Sequence, residues 1–390
     1  MSDQRAVVAE LAELAVRGER VVLASVVRVV GAAYRGVGAR MLVRVDGTTV
    51  GMVSAGCLEA DLVAHAERVR AGDAPALVTY DNGADEDLVW SLGLGCDGTV
   101  EVLLEPLAPA RGASLAALLG RALAGDEPAR LATVVRAEGA GAPDVGARVL
   151  VAPGNVPRCD GGWGDGVVLA RVLADAAAPV PAPVPNTLDV GGVRVAVERV
   201  DPPVRLVVCG SGPDVVPVVR LAAGLGWDTT VVAPHAAPAG RADRFPGART
   251  VACDDPARVA DAVALAPHTA AVVMSHDYAR DRAYVGALLD SPAGYVGVMG
   301  PRRRTDRMLA DLAAAGRAWP AERFAALYAP VGLDVGGDGP DAIALAIVAE
   351  VSATAGGRAG GHLRERRAPI HAPREDARAD APAGAAGRTA

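Results

Sequence analysis

A regular alternation of strand and helix patterns over residues 205–300 most constrains the fold of this chain. Short apolar runs such as "RLVVCG", "DTTVVA" and "AAVVMSH" alternate with longer stretches that have helical spacing. This alternation is typical of parallel βαβ units with right-handed crossovers. We therefore predict a C-terminal, Rossmann-like, doubly wound parallel sheet, whose ligands would bind at the carboxyl ends of the strands.

The N-terminal half has a different pattern. An amphipathic helix and the strand "RVVLASVVRVV" precede a hairpin on the Asp46-Gly47 turn, and a helix then ends near Gly72. Two further strands follow. Over residues 108–200 the pattern loosens into an alanine-rich helix and hairpins. These patterns predict an N-terminal α+β domain.

The boundaries follow from shifts in composition. The run "AAAPVPAPVPN" predicts a proline-rich connector near 178–186. We predict an N-terminal α+β domain over 1–203 that includes this connector, a Rossmann-like domain with a closing helix over 204–355, and a mostly disordered tail over 356–390.

Composition excludes several function classes. The chain has 390 residues, contains no lysine and carries a formal net charge of -7. A general affinity for nucleic acid is therefore not expected, and neither Schiff-base chemistry nor a P-loop lysine is available. No apolar run is long enough to span a membrane, which predicts a cytoplasmic protein. The five cysteines are widely spaced without a CxxC pair, so neither a disulfide framework nor a structural zinc site is expected.

The stretch "VVCGSGPDVV" has the strand-to-helix context of a dinucleotide fingerprint. Gly210 and Gly212 fill its first two glycine positions. Val215 stands at the third, and the next strand ends in "APH" without a carboxylate for a ribose. The fingerprint supports NAD(P) only weakly, and the alternative is a glycine turn kept for tight packing.

Two later turns also follow strands of the predicted sheet. His276 and Asp277 offer an imidazole and a carboxylate after one strand. After the next, Gly300 precedes Arg302, Arg303 and Arg304 at the start of a helix, which is a candidate phosphate cradle. The alternatives are a structural histidine and a solvated arginine face.

The stretch "VSAGCLEAD" places a cysteine where the chain turns into a helix. With Ser54 as the N-cap, Cys57 falls at the third helical position, where the helix dipole favours a thiolate. Gly56 would allow a ligand to approach the backbone closely. Cys96 lies in a similar glycine turn, "GLGCDG". Alternatively, either cysteine is a small buried apolar residue, as we expect for Cys209 and Cys253.

These stretches occur in an order that resembles the XdhC/CoxI family. The resemblance rests on "GMVSAGCLE", "GLGCDG", "GSGPDVVP", "MSHD", "YVGVMGPRRR", the closing segment at 330–350 and a late "RAPIH". Each motif alone is weak, but the ordered set is specific and spans nearly the whole chain.

The resemblance implies a chaperone that binds molybdenum cofactor (molybdopterin), protects it and helps insert it into a xanthine dehydrogenase or CO dehydrogenase-type molybdenum hydroxylase. It implies no catalytic residue, and it makes Cys57 the contact to the metal. The residues carried over as cofactor-binding are Ser54, Gly56, Cys57, Cys96, Gly210, Gly212, His276, Asp277, Gly300, Arg302 and Arg303. The expected partner is the apo-hydroxylase. A cofactor sulfurase or nucleotidyltransferase and a homodimer are further candidates.

The chain departs from the family pattern at several positions. Met52 and Ala55 replace Ser and Gly in the first motif, and Asp97 replaces Gly in the second. Ala233-Pro234-His235 replaces a common Asp-x-Arg, so this chain lacks the carboxylate and the guanidinium that relatives have there. Two other functions stay open: an NAD(P)-dependent oxidoreductase, and a scaffold for the hydroxylase with a vestigial pocket.

Overall fold

The structure is a computed structural model that describes residues 2–31, 33–81, 98–177, 187–235 and 244–365. The chain forms two compact units, Met1–Pro202 and Pro203–Ala390, which we call the N-terminal and C-terminal units. The predicted connector near 178–186, Cys96, Asp97 and the tail beyond residue 365 lie outside the described residues.

The N-terminal unit contains two successive sets of helices and strands. The first set is α1 (Ser2–Arg17), β1 (Val21–Val30), β2 (Arg40–Val43), β3 (Thr49–Gly51), α2 (Glu59–Gly72), β4 (Ala76–Asp81) and β5 (Thr99–Leu107). The second set is α3 (Pro109–Ala124), β6 (Ala129–Arg136), β7 (Arg148–Val151), β8 (Arg158–Asp160), α4 (Val167–Ala177), β9 (Thr187–Val190) and β10 (Val193–Val200).

Each set forms a five-stranded antiparallel sheet. The strand orders are β3-β2-β1-β5-β4 and β8-β7-β6-β10-β9. The predicted hairpin on Asp46-Gly47 is present as the antiparallel pair β2–β3. Residues 108–200, whose sequence pattern is loose, thus form a sheet as regular as the first.

The C-terminal unit is a parallel sheet with helices in its crossovers. Its main elements are β11 (Arg205–Cys209), α5 (Val215–Gly224), β12 (Asp228–Ala233), β13 (Ala248–Ala252), α6 (Val259–Ala262), β14 (Thr269–Val273), α7 (Tyr278–Asp290), β15 (Tyr295–Val298), α8 (Arg302–Ala314), α9 (Ala321–Ala325), β16 (Leu327–Tyr328) and α10 (Pro340–Ala355). The strand order is β13-β12-β11-β14-β15-β16, and every pairing is parallel. The predicted Rossmann-like sheet is therefore confirmed.

Two cores enclose this sheet. Strands β11, β14 and β15 contribute buried, mostly aliphatic side chains to both cores. These side chains pack against α7 and α8 in one core and against α5 and α10 in the other. Because both faces are covered, the central strands are apolar on nearly every residue. Buried strands of this kind give the strong sequence signal.

In the C-terminal unit the sequence patterns missed two strands, β13 and the two-residue β16, and lengthened one helix. Strand β13 has a mixed pattern of half-buried and exposed residues because it lies at the edge of the sheet. The stretch "PARVADAVALA", which predicts a full crossover helix, forms only a 3₁₀ turn at Pro256–Arg258 and the single turn α6. Within the described ranges, no helix combines the length and apolar character needed to cross a membrane.

Candidate functional site

The sheet of the C-terminal unit has its switch point between β11 and β14. These neighbours lead into connections that run toward opposite edges of the sheet. Ligands of open α/β sheets bind beside such a point, at the carboxyl ends of the strands. The turn after β11 carries Gly210 and Gly212, and the turn after β14 carries His276 and Asp277. The structure thus brings these four predicted residues to one edge of the sheet.

Residue 210 must be a glycine because the two turns approach each other closely there. Its φ is +150°, and a Cβ built on it would lie 2.7 Å from the carbonyl carbon of Met274. An L side chain therefore fits neither the backbone conformation nor the space. Tight packing explains this glycine whether or not a ligand binds, as the alternative interpretation holds.

His276 joins the two turns. Its Nε2 lies 2.7 Å from Oδ2 of Asp214, while 55% of its side chain remains accessible to solvent. Its φ is +63°, in the left-handed region that side chains with a Cβ seldom adopt. Strained residues of this kind concentrate at functional sites, so the conformation marks His276 as a candidate contact.

Asp277 has a structural task that the sequence did not reveal. It is the N-cap of α7, and its carboxylate accepts a hydrogen bond of 2.9 Å from the backbone N–H of Arg280. The preceding Ser275 donates its backbone N–H to Asp281 at 3.1 Å. Asp277 therefore fixes the turn that carries His276, which makes it a support for the site.

The three arginines after Gly300 have different surroundings. Helix α8 begins at Arg302, as the sequence predicts, and Gly300 has a left-handed φ of +117°. Arg302 and Arg303 are exposed, and within the described residues neither makes an ion pair. Arg304 instead lies 2.8 Å from the buried carboxylate of Asp281. Two forked cations are thus available at this helix start.

In the N-terminal unit, the loop before α2 differs from its prediction. Helix α2 begins at Glu59, and Leu58 is its N-cap. Ser54 is therefore not the N-cap, and Cys57 lies two residues before the first helical residue. The predicted third helical position for Cys57 was wrong because the hydrogen bonds of Ser54 and Glu59 close a turn ahead of the helix.

Glu59 holds this turn together. Its carboxylate accepts hydrogen bonds from the backbone N–H of Val53 at 3.3 Å, from that of Ser54 at 2.8 Å, and from the Ser54 hydroxyl. The Ser54 Oγ in turn accepts from the backbone N–H groups of Gly56 at 3.2 Å and Leu58 at 3.1 Å. The Cys57 loop is thus folded around one buried serine.

The thiol on this loop faces solvent. Cys57 is free and exposed, whereas Cys209 and Cys253 are buried as predicted. Gly56 has a φ of +108°, and no atom lies within 4 Å of the place where its Cβ would be. A ligand can therefore approach the thiol past an open backbone. Among the described residues, no group of three His, Cys, Asp or Glu could hold a metal ion by itself.

We expect a Glu59→Gln variant to loosen this loop. Burial raises the pKa of Glu59, but the hydrogen bonds from Ser54 and Val53 outweigh burial and hold the pKa below its ordinary value of 4.5. The amide group of Gln has one oxygen and no charge, so it cannot accept all of these hydrogen bonds. The amides of Ser54 and Leu58 should therefore exchange their hydrogens about tenfold faster, the cost of one charge-assisted bond.

The sign of the pH effect follows from the lowered pKa. The stabilisation by ionised Glu59 is fully present above 4.5 and is lost as the pH falls through the lower folded-state value. Exposed Glu67 on the same helix is the matched control. If Glu67→Gln accelerated exchange in the loop as much as Glu59→Gln does, the role of Glu59 would be wrong.

Three residues of these sites were missed by sequence reasoning. Glu59, Asp214 and Asp281 each contact a predicted residue and lie two to four positions from one. Glu59 and Asp214 stand inside the quoted stretches "GMVSAGCLE" and "GSGPDVVP". A short-range search for carboxylates beside the glycine turns would have found these two.

The two units together define a class of protein. One carries an exposed thiol on a clamped loop, and the other carries a Rossmann-type sheet with a glycine turn and exposed arginines after the carboxyl ends of its strands. A family profile described as XdhC Rossmann domain matches residues 206–351, and one described as XdhC and CoxI family matches residues 14–81. The chain belongs to the XdhC and CoxI family.

The chain is similar to relatives over most of its length. It is 30% identical to a protein of Bacillus subtilis that is named as a probable xanthine dehydrogenase subunit, over 86% of this chain and 93% of that protein. It is 25% identical to the molybdenum cofactor insertion chaperone PaoD of Escherichia coli, over 90% of this chain and 88% of that protein.

A solved structure supports the same relation. The crystal structure of a protein described as a xanthine dehydrogenase from Bacillus halodurans matches with a TM-score of 0.69 and 28% identity. The match covers 89% of this chain and 95% of that one. Both units therefore have counterparts in one solved relative.

Proposed function

We propose that this chain binds molybdenum cofactor as a cargo and helps insert it into a molybdenum hydroxylase of the xanthine dehydrogenase type. The observation that carries the proposal is the exposed Cys57 thiol on its clamped, open loop. The similarity to PaoD, which is named as a molybdenum cofactor insertion chaperone, supplies the cargo class.

The thiol suits the metal end of such a cargo. Thiolates are soft ligands, whereas carboxylates prefer hard cations. Among the described residues, Cys57 belongs to no group of three or more His, Cys, Asp or Glu that could hold a metal ion. A bound metal would therefore keep most of its own ligands. A single protein ligand also suits a cargo that must later be released.

The C-terminal unit carries groups that suit a phosphate. Backbone N–H groups of a glycine turn and forked arginine donors both favour phosphate oxygens. Gly210 and Gly212 provide the turn, and the exposed Arg302 and Arg303 provide the donors. His276, held by Asp214, adds a hydrogen-bonding group at the same sheet edge.

The proposal is tested by analysing the cargo of the purified protein. We expect full-length protein from cofactor-producing cells to carry molybdenum and a pterin that fluoresces after oxidation, in similar molar amounts. Protein from cells that cannot make the cofactor is the control and should carry neither. A preparation from producing cells that lacks both, and binds neither on titration, would contradict the proposal and favour a scaffold role.

Dinucleotide binding is the second candidate, and one observation favours it. Renumbered from β11 as the first strand, the sheet has the order 3-2-1-4-5-6 that is common in dinucleotide-binding proteins. Against it, β12 is followed by Pro234 and His235, and the His235 backbone and imidazole both bind Asp254. The same titration with NADH and NADPH is expected to show no binding, and saturation would favour an oxidoreductase.

A further inference from the structure

We infer that the N-terminal unit is a fused pseudo-dimer, built from two copies of one αβββαββ fold. The first copy spans residues 2–107 and the second spans 109–200. Among the described residues, both copies contain the same elements in the same order, and their sheets have the same strand order when each is numbered from its own first strand. The inference does not depend on which cargo the protein binds.

The strand registers of the two copies are also equivalent. Val22 pairs with Val43 in the first copy, and Arg130 pairs with Val151 in the second. Each residue of the second pair therefore follows its equivalent in the first by the same offset of 108 positions. The first strand of each copy is interrupted by a bulge, at Val27 and at its equivalent Val135. A bulge repeated at one position is a feature of the fold rather than a local irregularity.

The sequences of the copies agree where their folds do. Residues 23–43 read "LASVVRVVGAAYRGVGARMLV", and residues 131–151 read "LATVVRAEGAGAPDVGARVLV". Thirteen of these 21 positions are identical without a gap. The agreement includes the left-handed Gly38 and Gly146 and the arginines that follow them, Arg40 and Arg148.

Those arginines join the copies reciprocally. Arg40 of the first copy pairs with Glu198 of the second, and Arg148 of the second pairs with Glu105 of the first. All four side chains are at least nine-tenths buried. Each arginine also donates to the carbonyl of its own Gly38 or Gly146 at 2.9 Å. Contacts that exchange roles in this way define a two-fold, isologous interface.

One hydrophobic core is shared across this interface. It contains both members of seven equivalent pairs from the two copies. They are Val7 and Leu115, Leu11 and Leu119, Leu14 and Ala122, Val21 and Ala129, Leu23 and Leu131, Leu42 and Leu150, and Leu107 and Val200. A smaller cluster joins Val27 and Leu103 to their equivalents Val135 and Ala196. Each copy also has a buried cluster of its own, so the shared core adds to two internal ones.

The repeat gives the Cys57 loop an internal counterpart. By the same offset, Cys57 corresponds to Asp165, and each lies two residues before its helix. The Asp165 carboxylate accepts a hydrogen bond of 3.0 Å from the backbone N–H of Val167, the first residue of α4. The second copy thus has a helix-capping side chain where the first has a thiol. With the role proposed above for Cys57, the ligand-contacting loop belongs to the first copy only.

Reciprocal substitutions test the fused interface. We expect Glu105→Gln and Glu198→Gln, measured by hydrogen exchange in the full chain, to reduce protection of the slowest amides about a hundredfold or more. Each variant should do so equally in residues 23–43 and 131–151, because the copies open as one unit. Loss of protection confined to the copy that carries the substitution would overturn the inference.

Less disruptive variants test the same interface if the arginines left unpaired by the Glu→Gln substitutions prevent folding. Val27→Ala and Val135→Ala remove equivalent methyl groups from the small shared cluster, and each should lower protection in both copies by about tenfold.

A cysteine substitution tests the equivalence of the two loops. Asp165→Cys should yield a thiol that iodoacetamide alkylates within about tenfold of the rate at Cys57. An unreactive thiol at position 165 would overturn the equivalence of the loops.

Discussion

A Cys57→Ser variant should lose bound molybdenum and pterin by about tenfold or more, yet unfold at the same temperature as the parent protein. Serine is nearly isosteric but is a hard oxygen ligand, so the loss of metal contact should exceed about 1.4 kcal/mol. Because Cys57 is exposed on a loop that Ser54 and Glu59 close, its sulfur contributes little to the fold. Molybdenum analysis of protein from cofactor-producing cells measures the first effect, and thermal unfolding of both proteins from cells that cannot make the cofactor measures the second.

The chain supplies a matched control for this variant. Cys159 is also free and exposed, and burial raises the pKa of its thiol. Cys159→Ser should leave the bound cofactor unchanged. Equal cofactor loss in the two variants, or none in either, would show that Cys57 is not the contact. Loss accompanied by a lower unfolding temperature would point to damage of the loop instead.

A Gly210→Ala variant should have a free energy of unfolding about 2–4 kcal/mol lower than that of the parent protein. The added Cβ would meet the carbonyl group of Met274 in the neighbouring turn, and backbone atoms cannot move aside as a flexible side chain can. The φ of +150° adds strain for any residue with a Cβ. Urea denaturation of the full chain measures the loss.

Gly224 is the matched glycine. It ends α5, the helix that follows the same turn, and no atom lies within 4 Å of where its Cβ would be. Gly224→Ala should therefore be neutral or should stabilise by about 0.5–1 kcal/mol. If both alanine variants behaved alike, the close approach of the turns at Gly210 would not be what requires glycine there.

The sheet edge of the C-terminal unit was predictable because its central strands are buried on both faces. A strand such as "RLVVCG" is apolar on both faces, so it appears in the sequence as a continuous apolar run. Parallel topology then places the turns after these strands at the carboxyl edge of the sheet. Gly210, Gly212, His276 and Asp277 could therefore be grouped from the order of strands and turns in the sequence. The edge strand β13 was missed because exposure leaves it with mixed polarity.

The loop around Cys57 was harder because capping rules are local. Ser54 has the side chain of an N-cap, and its Oγ does accept a hydrogen bond from the backbone N–H of Leu58. That bond closes a turn one residue before the helix, since Glu59 draws Ser54 toward it. Spacing alone does not show that Glu59 accepts from Val53 and Ser54 while Ser54 accepts from Gly56 and Leu58.

The repeat is hard to see in a pattern of helices and strands because its two copies differ most where such patterns are usually sought. The helices α2 and α4 and the loops before them have diverged, whereas the agreement lies in the strand and turn around Gly38 and Gly146. Comparing the chain with itself reveals "VGARMLV" and "VGARVLV" at once. The reciprocal ion pairs, in contrast, join residues far apart in sequence and become visible only in the folded chain.

The matching strand orders of the two sheets have a consequence for how this protein can change over evolution. In a homodimer of identical chains, one codon specifies both halves, so a residue that suits a ligand on one side is imposed on the other. Joining the halves in one chain removes that constraint. Cys57 and Asp165 can then be selected independently, one for chemistry and one for the stability of its helix.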